Sequence, residues 1–391
     1  MFEVQVLTAT RAEYGLLRPL MRRFMQEEDV HMTVLVTGMH LSEEFGLTYR
    51  EIEADGIEIA AKIPILLSAD TPNAVSKAMG LAMLGFADVF ARQKPDCLVV
   101  LGDRFETLAV CCAAFNEHIP IVHLHGGERT EGVLDEGYRH AITKLSFLHF
   151  ASTEAYRQRI IQLGEAPERV FNVGALGVEN ALTLPLPSRE ELEASLGFSL
   201  AAPYAVVTFH PAIAKEEDAP RQCQALLDAM DAHDGLRYLC TKANADAGGR
   251  AMNRMLADCA ATRDNLLLVD SLGVARYLAA VKHAALVLGN SSSGLLEVPS
   301  FGVPTVDIGD RQKGRVMADS VLHCVCEANA IAEAIAQALS PQARVRAQRA
   351  RNPYQGQETS RQIVLHTKQR LLDKHVFDKT FFNIAGCYVC E

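Results

Sequence analysis

Carboxylates and histidines gather where buried apolar runs end. Leu101 leads into Gly102-Asp103-Arg104, and Leu124 leads into His125-Gly126-Gly127-Glu128, with Glu131, Asp135, Glu136 and His140 following. Acids that converge from separate strand ends are what proton transfer requires. Asp103 also reads as a helix cap, and the acids after Glu128 also read as solvent-facing. His123 and His125 stand at i and i+2, which on a strand would put both on one face, as in a metal site. No third ligand follows at diagnostic spacing, so no metal is expected and His123 reads as a core histidine.

A second group of residues suits an anion. Leu286-Val287-Leu288 reads as the end of a buried strand, Gly289-Asn290-Ser291-Ser292-Ser293-Gly294 as a turn, and Leu295-Leu296-Glu297 as the opening of a helix. Free N–H groups and hydroxyls at the positive end of a helix dipole are suited to a phosphate. Gly289 and Gly294 are expected to let the backbone approach that ligand. One serine would cap the helix, which leaves two hydroxyls for binding. The turn matches neither the P-loop nor the Gly-x-Gly-x-x-Gly pattern. His210, before Pro211, is expected as an imidazolium facing a diphosphate. Asn244, Asp246 and Arg311 stand at other strand ends, and Arg11 reads as part of the loop after the first strand. Glu297 either complements the helix dipole or accepts hydrogen bonds from sugar hydroxyls. Lys313 and Arg315 read as solvated.

These residues need an alternating scaffold, and the chain supplies one. Apolar strands over 4–8, 32–37, 97–101, 119–124, 147–152 and 170–173 alternate with helical periodicity over 16–27 and 70–92. The pattern resumes with strands at 204–209, 237–241, 266–269, 284–288 and 305–308, and a last helix spans 360–374. Such order predicts parallel sheets with ligands at the carboxyl ends of their strands. The predicted fold class is α/β, with two Rossmann-like domains facing a cleft. The expected domains are 1–177, carrying the acid/base residues, and 178–359, holding the anion. Residues 360–391 form a helix and tail packing back on the first domain.

Composition narrows the class further. A chain of 391 residues with 49% hydrophobic and 22% charged residues builds a substantial core. The net charge of −10 and the absence of a basic run argue against a general nucleic-acid partner. No run of about 18 apolar residues suggests a membrane span, and Met1-Phe2-Glu3-Val4 does not resemble a signal peptide. Ten scattered cysteines fit a reducing cytoplasm, and Cys387-Tyr-Val-Cys390 reads as a lone pair near a terminus.

Several segments together carry a resemblance. Thr10-Arg-Ala-Glu-Tyr-Gly15, Leu101-Gly-Asp-Arg-Phe-Glu106, His123-Leu-His-Gly-Gly-Glu128, Asp135-Glu-Gly-Tyr-Arg-His-Ala-Ile-Thr-Lys144, Asn290-Ser-Ser-Ser-Gly294 and Gly309-Asp-Arg-Gln-Lys-Gly-Arg315 occur in this order. The chain resembles the hydrolysing UDP-N-acetylglucosamine 2-epimerases of sialic acid biosynthesis over nearly its whole length. The resemblance implies a GT-B-like fold, conversion of UDP-N-acetylglucosamine and water to N-acetylmannosamine and UDP, no cofactor, and a homodimer or homotetramer. It implies UDP contacts from Arg11, Arg104, His210, Asn244, Ser291, Ser292, Glu297 and Arg311, with the segment around Leu272 against the uracil. Asp103 and Asp135 resemble the family's acid/base residues. A third such acid, glutamate before the Gly-Gly pair in some members, is His125 here, so His125 or Glu128 takes that role. The alternatives are the same chemistry on UDP-2,4-diacetamido-2,4,6-trideoxyglucose, a GT-B glycosyltransferase, and a silent nucleotide-sugar sensor.

Overall fold

A computed structural model describes residues 1–67, 69, 71–211, 218–243, 248–372 and 378–384. The chain forms two compact units. One comprises Met1–Glu128, Gly132–Asn180 and the chain from Tyr354, and the other comprises Arg129–Glu131 and Ala181–Pro353. Apart from the short Arg129–Glu131 excursion, the chain passes between units at Asn180/Ala181 and Pro353/Tyr354, where boundaries were expected at 177/178 and 359/360.

The first unit is built on seven parallel strands: β1 (Phe2–Thr8), β2 (Val30–Thr37), β3 (Ile59–Ile63), β4 (Cys97–Leu101), β5 (Ile121–Leu124), β6 (Leu148–Ala151) and β7 (Val170–Asn172). Their order across the sheet is β3-β2-β1-β4-β5-β6-β7. Val4 faces Met32 on one side and Cys97 on the other, so β1 and β4 meet where the order reverses. The central strands are buried on both faces, which is why they read as continuous apolar runs. The second unit repeats the arrangement with β8 (Tyr204–Thr208), β9 (Arg237–Thr241), β10 (Leu266–Val269), β11 (Leu286–Gly289), β12 (Thr305–Ile308) and β13 (Val321–Cys324). Its order, β10-β9-β8-β11-β12-β13, puts the reversal between β8 and β11. In open sheets of this kind the carboxyl ends at the reversal are where ligands bind.

Helices connect the strands. In the first unit they are α1 (Arg11–Met25), α2 (Tyr49–Ala54), α3 (Pro72–Arg92), α4 (Phe105–Asn116), α5 (Leu134–Leu145), α6 (Glu154–Gln162) and α7 (Leu176–Thr183), which runs across the boundary. The second has α8 (Arg189–Leu196), α9 (Ala219–Asp231), α10 (Gly249–Ala260), α11 (Gly273–His283), the single turn α12 (Ser293–Leu296), α13 (Ala328–Leu339) and α14 (Pro341–Arg349). The last, α15 (Thr359–Leu371), lies along α1, and Lys368 Nζ meets Glu27 Oε2 at 2.7 Å. Beyond it, Lys379 Nζ donates to the Ser146 carbonyl at 2.7 Å and pairs with the buried Glu165 at 2.7 Å.

Several expectations are corrected. The first helix starts at Arg11, not near residue 16, because Thr10 and Glu13 form a capping box. Arg11 is therefore helical and not a loop residue. α3 is entered through Thr71, whose hydroxyl accepts from Ala74 N at 3.2 Å, while Asp70 lies outside the described residues. Cys387 and Cys390 lie outside the described residues.

Candidate active site

In the first unit one buried arginine organises the acids. Arg139, on α5 and 1% exposed, donates through Nε to Asp103 Oδ2 at 2.9 Å, with Nη2 on the same oxygen. Its Nη1 donates to the Glu128 carbonyl at 2.8 Å and to Glu136 Oε2 at 2.9 Å. The end of β4, the loop after β5 and the first turn of α5 are thereby tied together. Asp103 does not cap α4, whose N-cap residue is Arg104. Arg104 instead donates through Nε to Glu106 Oε1 at 2.5 Å. Glu106 is 1% exposed, and its Oε2 meets no hydrogen-bond partner among the described residues.

This crowding perturbs the acids. Asp135 is exposed at the start of α5, yet partial desolvation first, and the Asp103 carboxylate second, push it up to about 6, while Arg104 and Arg139 pull it down. Burial also pushes Glu13 up to about 7 against the pull of Arg104, with Glu106 adding to the rise. Glu13 Oε2 accepts from Ala9 N at 2.8 Å, and this bond fixes the chain just past β1.

His125 and Glu128 form a pair. His125 Nδ1 lies 3.1 Å from Glu128 Oε1, which also accepts from Ser152 Oγ at 2.9 Å. His125 Nε2 is buried with no hydrogen-bond partner among the described residues. The two histidines do not share a strand face as expected. β5 ends at Leu124 and His125 turns to a φ of 62°, so its side chain leaves the strand's alternation. His123 stays in the core, its Nε2 against the Gly102 carbonyl at 2.8 Å and its Nδ1 3.3 Å from Thr143 Oγ1. Burial lowers its pKa to about 3, so it is a neutral bracket under the Gly102–Asp103 turn.

Other sequence candidates in this unit lie elsewhere. Arg11 pairs with Glu51 at 3.0 Å, both half-exposed; Glu131, counted with the second unit, pairs with Arg129. His140 Nε2 lies 3.3 Å from Glu136 Oε1. Arg139 and Glu106 were missed as site residues. Arg139 follows Asp135 by one helical turn, a spacing that could have flagged it.

In the second unit an uncharged side chain does the organising. Asn290, buried at the end of β11, accepts through Oδ1 from His210 N and donates through Nδ2 to the His210 carbonyl, both at 2.8 Å. Its own carbonyl accepts from Arg311 Nη1 at 3.1 Å and Gln312 Nε2 at 2.9 Å. The ends of β8, β11 and β12 are thereby joined at the sheet's reversal. Burial first, and Arg311 second, lower His210 to about 3. The imidazolium expected from sequence is thus disfavoured, and the ring is neutral.

The serine turn also differs from its reading. Gly289 has a φ of 139°, and a Cβ there would lie 2.0 Å from the Thr208 carbonyl oxygen. A Cβ at Gly294 would lie 2.9 Å from Thr305 Cγ2. The chain's own packing therefore demands both glycines. Ser291 Oγ accepts weakly from Ser293 N at 3.4 Å, and Ser292 makes no side-chain cap. Glu297 follows α12 directly, donating its N–H to the Ser293 carbonyl at 3.0 Å. The Leu272 side chain is packed in the core, so a ligand there would meet backbone. Asn244 and Asp246 lie outside the described residues.

The model of the UDP-N-acetylglucosamine 2-epimerase family matches residues 22–368. The chain is 40% identical over 321 residues to the GDP/UDP-N,N'-diacetylbacillosamine 2-epimerase (hydrolyzing) of Campylobacter jejuni, covering 82% of this chain and 83% of that one. It is 38% identical over 392 residues to polysialic acid biosynthesis protein P7 of Escherichia coli, covering 99% of each. Its fold matches the crystal structure of the Neisseria meningitidis UDP-GlcNAc 2-epimerase bound to UDP-GlcNAc with a TM-score of 0.80 at 18% identity, over 94% of this chain and 100% of that one. The GT-B-like architecture expected from the sequence is shared with that enzyme. The chain belongs to the UDP-N-acetylglucosamine 2-epimerase family.

Proposed function

We propose that the protein is a hydrolysing 2-epimerase that converts UDP-N-acetylglucosamine and water to N-acetylmannosamine and UDP. The observation that carries this reading is the Asp103–Arg139–Asp135 arrangement, two carboxylates in one site with one held by an arginine and the other shifted toward neutrality. The proton on sugar C2 is weakly acidic in the ground state. As the C1–O bond to UDP lengthens, positive charge grows at C1 and acidifies it. A carboxylate removes that proton, the C2–H electrons form the C1=C2 bond, and UDP departs with the C1–O pair. Water then adds to C1, and an acid on the opposite ring face protonates C2, giving the inverted free sugar.

Asp135, with a pKa of about 6, exchanges protons readily near neutral pH. The third proton-transfer role falls to the His125–Glu128 pair acting together. Glu128 accepts a hydrogen bond from Nδ1–H, which keeps the proton on Nδ1 and leaves the partnerless Nε2 as the base. In the second unit Arg311, Ser291, Ser292 and the neutral His210 supply donors to the diphosphate, and Glu297 accepts from ribose hydroxyls. Arg104, fixed by Glu106, adds a cation to the substrate contacts. Arg11, Asn244, Asp246, Leu272 and Gly294 remain assigned to the nucleotide by the motif resemblance. The reading includes a homo-oligomer in the cytoplasm, with no cofactor.

A second reading keeps the chemistry and changes the sugar. It is favoured by the 40% identity to the Campylobacter diacetylbacillosamine enzyme, whose sugar is a 2,4-diacetamido-2,4,6-trideoxyglucose. Incubating the protein separately with UDP-N-acetylglucosamine and with the UDP-diacetamido sugar, and identifying products by NMR, decides between them. Free N-acetylmannosamine as the faster product supports the first reading. Turnover of only the diacetamido sugar transfers the assignment to the second, and release of neither free sugar overturns both.

A further inference from the structure

The chain carries a net charge of −10, but four of its arginines crowd into the stretch 344–351. Arg344, Arg346 and Arg349 lie on α14 and Arg351 follows it, and all four are exposed. None of the four side chains makes an ion pair or hydrogen bond among the described residues. Arg18 and Arg263, by contrast, each hold an acid, Asp55 and Asp231. Uncompensated guanidinium groups make a local cationic field on a chain that is acidic as a whole.

This field coincides with a concavity of about 560 Å³ in the second unit, the size of a small-molecule site. Ala343 and Ala347 are buried and fix the inner side of α14. Pro341, Val345 and Arg349 follow one another at i, i+4 and i+8 on another side and line the concavity, with Arg346 beside them. Asp319, from the turn before β13, lines it as well. The Asn290 cluster contributes none of these residues. The lining changes character along the helix. Pro341 and the 45% exposed Val345 offer apolar surface, and Arg346 and Arg349 bring two guanidinium groups one turn apart toward the helix end. From Pro341 to Arg349 the helix rises about 12 Å. A guanidinium fork matches a phosphate with two parallel hydrogen bonds. Two such charges outweigh the lone Asp319 and the roughly half charge of the helix terminus.

We propose that this concavity is a second anion site, which takes a nucleotide-sized ligand with its phosphates on Arg346 and Arg349 and its less polar end against Pro341 and Val345. Asp319 is placed to accept from a sugar hydroxyl. The apolar stretch distinguishes the site from one for bare phosphate. The overall negative charge disfavours a long polyanion and leaves a short one, held by local forks. The site stands independently of the proposed reaction.

Calorimetric titration of the full chain carrying Arg311→Ala, which weakens the anion contacts at the serine turn, tests this with ADP as the probe. One ADP per chain should bind, and inorganic pyrophosphate should bind more weakly. Arg346→Glu and Arg349→Glu, each added to that background, should weaken ADP binding about tenfold or more with the circular dichroism unchanged. Arg344→Glu, outside the lining, should weaken it no more than about twofold. Val345→Asn should weaken ADP more than pyrophosphate. Absence of ADP binding overturns the proposal, as does ADP binding indifferent to Arg346→Glu. An equal loss in Arg344→Glu also overturns it, since that marks diffuse surface charge only. So does pyrophosphate bound as tightly as ADP, or heparin bound without ADP.

Discussion

The two units share a strand order and place a single hub residue at the reversal, but the hubs differ in kind. In the first, Arg139 is a charge holding the carboxylates of Asp103 and Glu136. In the second, Asn290 holds a backbone strand end through its side-chain amide, and its backbone carbonyl accepts from Arg311. A charged hub surrounded by acids makes a group that titrates, as the shift of Asp135 shows. A neutral hub beside donors, with His210 kept uncharged, presents hydrogen bonds at a fixed geometry. Under the proposed function, similar scaffolding would serve proton transfer in one unit and anion recognition in the other. Substitutions in the first half should therefore act on turnover, and substitutions in the second on substrate affinity.

The largest expected effect is at Asp135. Asp135→Asn should lower kcat by about 10³, the range removed with a general acid or base, while UDP-sugar affinity measured by calorimetry changes only a few-fold. An equal loss in affinity would erase the division between halves. Next comes the hub comparison. Arg139→Met leaves the buried Glu128 carbonyl and two partly exposed carboxylates without their cation and should cost about 2–3 kcal/mol in denaturant unfolding, with turnover lost. Asn290→Ala should cost about 1–2 kcal/mol and appear mainly as a raised KM. Replacing Arg311 by Ala should raise KM by about tenfold or more at nearly constant kcat, the worth of a charge-assisted hydrogen bond.

The smallest effect is a shift in pH dependence. A raised carboxylate pKa means that Asp135 holds its proton to about pH 6, so activity that needs it as a base falls as pH drops through that value. Asp103 contributes to the rise. In Asp103→Asn the acidic limb of the residual activity should therefore move to lower pH. A limb that stays in place or moves up would break the link between the two acids.

Much of this was legible in the sequence, for physical reasons that also explain the failures. Central strands announced themselves as continuous apolar runs because both faces are buried, and the ends of those runs located Asp103, His125, His210 and Ser291. The edge strands β3 and β13 are only half-buried, so they lack that run and were not seen. Thr10 and Glu13 carry the capping-box spacing, yet the helix was read only from the apolar periodicity that begins at Leu16. The backbone turn at His125 was not anticipated, because a positive φ is uncommon for any non-glycine residue and His is only enriched there. The glycines of the serine turn were recognised, but their reason was not, since the Thr208 carbonyl and the Thr305 methyl come from other strands. Arg139 and Asn290 went unnoticed as hubs because what defines a hub is convergence in space.

In the proposed reaction, hydrogen leaves C2 of the sugar and a different one returns from the other face. Running it to completion in deuterium oxide and reading C2 of the free sugar by NMR tests this. One deuterium at C2 of the inverted product is expected. An inverted product that keeps its original protium at C2 would contradict it.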